Sequence, residues 1–263
     1  AFVKAYLAED GTPNVDTQTA YVLALWTNLV PAKQVAAVSA RLAAKIAQNG
    51  NRMTTGFLGT RALLPALTGS GHHDLAVRLF QNRVFPSWGY EVVNGANSVW
   101  ERWDSYTKEH GFDGASGKQN AGMNSFSHYA FGAVMEWAYR TLAGIDTDGP
   151  GYRRITIRPR PPSADSNPDV TPINWVRAHY DSIHGRIASA WQREAGRFSL
   201  DVTIPPNTTA KVWLPVAKTT GLTEGGKPLA KGGSIRGIAM QEGAVRVDVS
   251  AGTYHFEAPL AGP

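Results

Sequence analysis

The 263-residue sequence contains no cysteine, which excludes disulfides and thiolate metal sites and leaves the redox compartment unread. It has no apolar run approaching the roughly 20 residues that a membrane helix needs. Its 26 basic residues outnumber 21 acidic ones for a net charge of +5, but they stand singly or in pairs such as Arg153-Arg154. Nucleic-acid binding draws on a concentrated basic stripe that displaces counterions, and none is present. The sequence therefore points to no nucleic-acid partner and no membrane. It also lacks an initiator methionine and opens inside a helical pattern, Ala1-Phe2-Val3-Lys4-Ala5-Tyr6-Leu7, so it is expected to be a piece of something longer. Ala1 to Ala8 does not read as a signal peptide, because Lys4 interrupts it and no small-residue cleavage site follows. A soluble chain, cytoplasmic or secreted, is as far as localisation can be read.

What is present is an ordinary globular balance, 43% hydrophobic and 18% charged, with 10% aromatic residues. Five tryptophans fall between Trp26 and Trp137. Aromatic rings stack on the C–H faces of sugars, so carbohydrate binding is one reading. A buried core is the other, since tryptophan is highly buried on average.

Two periodicities divide the chain. Up to about Gly144 it reads as helical. Thr17 to Leu29 carries Tyr21, Leu25 and Trp26 at helical spacing, and Pro31 suits the first turn of a helix with Val35, Val38, Leu42 and Ile46 on one face. Asn49-Gly50 stops that helix. Thr60 to Leu67 and Asp74 to Phe80 predict shorter helices, with His72-His73 in a turn, and Asn124 to Leu142 predicts a long one capped by Asn124 or Ser125. A long loop, from Phe85 to Met123, is rich in Trp, Gly, Asn and Ser, and such segments are often functional. After Gly149-Pro150-Gly151 the period becomes two. Short strands are expected at Ile155–Arg158, Trp175–Tyr180, Gly185–Gln192, Arg197–Ile204, Thr209–Leu214, Ala244–Val249 and Thr253–Glu257, with turns such as Glu194-Ala195-Gly196 between them. That spacing predicts an antiparallel β-sandwich, with Pro159 to Pro172 as the domain junction. No internal repeat is visible.

The densest polar constellation is Ser98-Val99-Trp100-Glu101-Arg102-Trp103-Asp104-Ser105, downstream of Pro86-Ser87-Trp88-Gly89-Tyr90. A carboxylate between two tryptophans suits a glycosidase subsite, where the rings shape a wall and the carboxylate acts on the anomeric carbon or on a water. Glycoside hydrolysis normally uses two carboxylates. The competing reading is a structural Glu101–Arg102 ion pair beneath the rings. Asn124 and His128 fall one turn apart on the expected helix, where His128 can meet a sugar hydroxyl or serve as a structural histidine. Met53 to Thr60 matches no nucleotide motif and reads as a tight loop with close backbone approach. His72-His73 lacks partners at metal-ligand spacing, so no metal and no cofactor are expected. Asn207-Thr208-Thr209 matches a glycosylation acceptor, a pattern too frequent to weigh.

Taken in order, Thr55-Gly56-Phe57-Leu58-Gly59-Thr60, Pro86-Ser87-Trp88-Gly89-Tyr90, Trp100-Glu101-Arg102-Trp103 and Met123-Asn124-Ser125-Phe126-Ser127-His128-Tyr129 closely resemble bacterial α-L-rhamnosidases. Pro150-Gly151-Tyr152 and Ile155 to Pro161 match the same family's exit from its barrel. The resemblance implies an (α/α)6 catalytic barrel, of which residues 1–149 are the second half, and a β-sandwich at 150–263. It implies hydrolysis of terminal α-L-rhamnose with inversion and without a metal in the chemistry. Glu101 matches the family's general base. Trp100 and Trp103 would line the sugar pocket, with Trp88 a neighbour, and His128 and Asn124 would lie near the rhamnose hydroxyls. The family's general acid lies in an upstream motif, and Glu9, Asp10 and Asp16 sit in no such context. The chain alone is therefore expected to be inactive, and to need the N-terminal half of the barrel or a homodimer partner against its apolar flanks. A non-catalytic carbohydrate-binding or structural module is the alternative, and another glycosidase or lyase on the same barrel is a further one.

Overall fold

The computed structural model describes residues 2–118, 121–163, 167, 170–194 and 196–260. Ala1 of the expected opening helix, Ala195 of one expected turn, and residues 164–166, 168 and 169 of the proline-rich stretch lie outside that set. The chain divides into two compact units, one of residues 1–135 with 162–172 and the other of residues 136–161 with 173–263.

The first unit is helical: α1 (Phe2–Tyr6), α2 (Gln18–Trp26), α3 (Val35–Gln48), α4 (Phe57–Gly69), α5 (His73–Gln81), α6 (Trp88–Val93) and α7 (Tyr129–Gly132). Thr17 caps α2 by accepting a hydrogen bond from the Ala20 amide at 3.2 Å. In α3, Val38, Leu42 and Ile46 stand four residues apart and are fully buried. Each contributes roughly 1.5–3 kcal/mol on burial. The helix ends as the sequence implies, with Gly50 at φ +67° and Asn51 at φ +55°. Helix α4 extends beyond the expected Thr60–Leu67, and its first turn explains the tight loop before it. A Cβ on Gly59 would lie 2.9 Å from Thr19 Oγ1 and 3.0 Å from Thr55 Cγ2. The Thr55 and Thr60 hydroxyls close that turn at 2.9 Å. His73, expected in a turn, instead opens α5, with His72 at its N-cap.

The second unit begins within the last helical run, at the end of α8 (Val134–Trp137), where a π-helical turn over Ala138–Ala143 follows. Gly144 stops it at φ +78°, a position where a Cβ would fall 2.1 Å from the Pro159 nitrogen. A mixed sheet follows: β1 (Ile145–Thr147), β2 (Arg154–Ile157), β3 (Trp175–Ser182), β4 (Gly185–Glu194), β5 (Arg197–Leu214), β6 (Thr223–Glu224), β7 (Lys227–Pro228), β8 (Ile235–Gln241) and β9 (Ala244–Pro259). The pairings are antiparallel, save for β2 beside β5, which run parallel.

Two pairs of strands expected to be separate are single long strands. Arg197–Ile204 and Thr209–Leu214 form one β5, and Ala244–Val249 and Thr253–Glu257 form one β9, with the register of the pair shifting between Ile204 and Thr209. Pro205-Pro206-Asn207 bends β5 without ending it. Asn207 sits at φ +60° and the Thr208 hydroxyl donates to the Pro205 carbonyl at 2.7 Å. The first half of β5 pairs with β4, the second half with β2, and β9 accompanies both. Inward side chains of both halves, among them Trp191, Phe198, Leu200, Val212, Val247 and Phe256, share one core.

Candidate active site

The residues singled out for chemistry all belong to the helical unit, and long-range backbone pairing positions them. The Glu101 amide donates to the Ser125 carbonyl at 2.9 Å and the His128 amide to the Val99 carbonyl at 2.8 Å. The Ser98 hydroxyl donates to the Phe126 carbonyl. Segments 98–101 and 125–128 thus run side by side. This pairing corrects the expectation of a helix from Asn124. The 125–128 backbone is committed to its neighbour, so the helix starts at Tyr129, with extended His128 (φ −116°, ψ 118°) as its cap. The long loop also contains α6, capped by buried Ser87, whose hydroxyl accepts from the Tyr90 amide at 3.0 Å.

The Glu101 carboxylate accepts a hydrogen bond from the Ser125 amide at 2.8 Å. The ion-pair reading paired it with Arg102, but Arg102 Nη2 donates to the Met123 carbonyl at 2.8 Å. Ser105, fully buried, joins the two segments a second time. Its hydroxyl donates to Asn124 Oδ1 at 2.8 Å and accepts from the Arg102 amide at 3.2 Å. Asp104 accepts from the Ala115 amide at 2.8 Å, which pins the following loop.

The tryptophans belong to two aromatic clusters. Trp103 stacks on Phe131 with centroids 3.8 Å apart and planes 7° from parallel, and meets the edge of Trp88 at 5.3 Å. Trp88 Nε1 donates to the Phe131 carbonyl at 2.9 Å. Phe57 continues this cluster, stacking on His128 at 4.8 Å. Trp100 instead sits edge-on to Phe126 at 5.7 Å and to Tyr106 at 6.5 Å. Trp100 is 4% exposed and Trp103 8%, whereas Trp88, Glu101, Asn124 and His128 are half-buried.

Glu91 was not expected here. It lies on α6, 3% exposed, with Oε2 3.5 Å from the Trp100 amide. Burial pushes its carboxyl up from about 4.5 to about 8, against a smaller downward effect of that amide. The sequence carried one clue, a lone acid three residues after Trp88 in an otherwise apolar helix. Two of the early acids are engaged elsewhere. Asp10 pairs with Arg41 at 2.7 Å, and hydrogen bonds from Thr12, then Arg41, hold its carboxyl down to about 2. A hydrogen bond from Lys45 likewise lowers the carboxyl of Asp16.

Comparison with known proteins identifies the family of the chain. Residues 1–142 match the bacterial alpha-L-rhamnosidase 6 hairpin glycosidase domain, and residues 144–228 match the bacterial alpha-L-rhamnosidase C-terminal domain. An alpha-L-rhamnosidase of Streptomyces avermitilis is 47% identical over 215 residues, which is 82% of this chain and 20% of that protein. One from Formosa agariphila is 33% identical over 98% of this chain and 26% of its own length. The crystal structure of the Streptomyces avermitilis enzyme complexed with L-rhamnose superposes with a TM-score of 0.82 at 41% identity, covering 98% of this chain and 23% of that one. The native enzyme of Aspergillus terreus gives 0.79 at 29% identity, covering 98% and 26%. The chain spans about a fifth to a quarter of the length of these relatives. Its helices and its mixed sheet are therefore the C-terminal portion of that architecture, and the chain belongs to the bacterial alpha-L-rhamnosidase family.

Proposed function

We propose that this chain carries the general-base side of an inverting α-L-rhamnosidase site, with Glu101 as the base. The observation that carries the reading is the mounting of Glu101. One oxygen accepts from the Ser125 amide at 2.8 Å, on a segment whose backbone is fixed to 125–128. Such a carboxylate is held in place while remaining half-open to solvent. It deprotonates a water that attacks the anomeric carbon of a terminal α-L-rhamnose from the face opposite the leaving group. His128 and Asn124 meet the sugar hydroxyls, and Trp88 forms the accessible part of a wall backed by Trp103, with Trp100 lining the pocket from the second cluster.

Inversion needs a second, protonated carboxyl on the other side of the bond, with the pair about 6.5–9.5 Å apart. Asp10 and Asp16 are unsuited to that part, because each is stabilised as an anion by its ion pair and hydrogen bonds. The family resemblance puts the acid in an upstream motif, so this chain alone is expected to be inactive. Leu58, Val92, Met123 and Tyr129 are large, apolar and exposed, and Tyr129 adjoins His128. Those surfaces fit a missing partner, either the first half of the barrel or a second copy of the chain. The reading extends residues 1–149 as half of the barrel and 150–263 as the supporting sandwich.

The test is proton NMR of the product released from an aryl α-L-rhamnoside by the chain joined to its preceding segment. Inversion yields the β-anomer first, and Glu101→Gln lowers the rate by about 10²–10⁴-fold. First release of the α-anomer, or an active Glu101→Gln, rejects the assignment. Rhamnose binding without turnover in the joined protein favours the carbohydrate-binding alternative.

A further inference from the structure

Glu91 has no part in the reaction just described, yet it grips the chain at two points on the way to Glu101. Its backbone carbonyl accepts from the amides of Asn94 at 3.1 Å and Ala96 at 3.0 Å, which closes the turn after α6. Its carboxyl reaches over that turn to the Trp100 amide, one residue before the base. Helix α6 is itself fixed at its start, since Gly89 lies so close to the Asn82 carbonyl that a Cβ would fall 2.3 Å from it. The other carboxyl oxygen, Oε1, is buried without a hydrogen-bond partner among the described residues. A buried polar atom in that condition is uncommon.

We infer that Glu91 is a positioning residue for the general base: its buried carboxyl holds the Trp100 amide and so sets the backbone from which Glu101 projects. The inference rests on the reading of Glu101 as the base. Glu101 is thereby fixed on both sides, through Trp100 to α6 and through Ser125 to the neighbouring segment. Glu91 is uncharged in this position near neutral pH. Burial accounts for that state. The Trp100 amide acts in the opposite sense, and no charged side chain contributes.

Two variants of the joined protein decide it. Glu91→Leu keeps the volume but loses the acceptor, and is expected to lower kcat by about 10²-fold while KM changes by less than about threefold. Glu91→Gln keeps an acceptor toward Trp100 and is expected to restore most of that loss. A loss confined to KM, or equal losses in both variants, overturns the inference. If Glu91→Leu does not fold, Glu91→Asp takes its place: its carboxyl is one methylene too short to reach the Trp100 amide, so kcat is expected to fall while KM holds. An unchanged kcat in Glu91→Asp overturns the inference. Amide NMR of the present chain separates this from the rhamnosidase reading. In Glu91→Leu the Trp100, Glu101 and Ser125 signals move while those of the sheet unit stay, even if no rhamnoside is hydrolysed. Unmoved Glu101 and Ser125 signals overturn it.

Discussion

Replacing Glu91 with glutamine is expected to flatten the pH dependence of folding of the helical unit. The folded carboxyl keeps its proton up to about 8, whereas in the unfolded chain it releases it near 4.5. Between those values the folded state holds a proton that the unfolded state has lost, so folding weakens as pH rises. The contribution is fully present below about pH 4.5 and is lost as pH passes through about 8. At 1.36 kcal/mol per pH unit, that window corresponds to about 5 kcal/mol. This is a ceiling, because the 98–105 segment can open and hydrate the carboxyl before the unit unfolds. Glutamine stays neutral throughout, and titrations elsewhere cancel in the comparison. The assay is thermal unfolding followed by circular dichroism at 222 nm, wild type against Glu91→Gln, from pH 5 to 8.5. Each kcal/mol moves Tm by roughly 2–4 °C in a domain of this size, so the wild-type Tm should fall by roughly 10 °C more than the variant's. Parallel curves would refute the assignment of a buried neutral acid at this position.

Other expectations follow from the packing. Trp103→Ala removes the ring stacked on Phe131 and the edge contact with Trp88, and should destabilise the helical unit by about 3–5 kcal/mol. Chemical denaturation with tryptophan fluorescence reads that loss, and a change below 1 kcal/mol would show that the cluster relaxes freely. Gly89→Ala places a methyl against the Asn82 carbonyl and should cost about 1–3 kcal/mol while displacing α6, visible as a lower unfolding midpoint in the same titration. An unchanged midpoint would mean that α6 shifts without cost.

Much of the molecule was legible in the sequence because its periods are clean. Val38, Leu42 and Ile46 gave α3 its face, and alternation gave β2 and β4 theirs. The candidate site motif stood out for a different reason, since Trp100-Glu101-Arg102-Trp103 sets a carboxylate between two tryptophans within four residues. What escaped depended on distant partners. Asn124 to His128 has the composition of a helix start, but its backbone is taken up by residues 98–101, far away in sequence. Pro205-Pro206-Asn207 has the composition of a turn, yet β9 runs beside both halves of β5 and keeps it one strand. The parallel pairing of β2 with β5 leaves no local trace. Nor does the burial of Glu91, which depends on the 98–105 segment folding over α6.

The most direct test of the account is hydrolysis of a chromogenic aryl α-L-rhamnoside by this chain, alone and mixed with the preceding portion of its parent protein. The account predicts no turnover by the chain alone, turnover by the mixture, and loss of that turnover with Glu101→Gln. Turnover by the chain alone that Glu101→Gln abolishes would contradict it, because the general acid would then have to lie within these 263 residues.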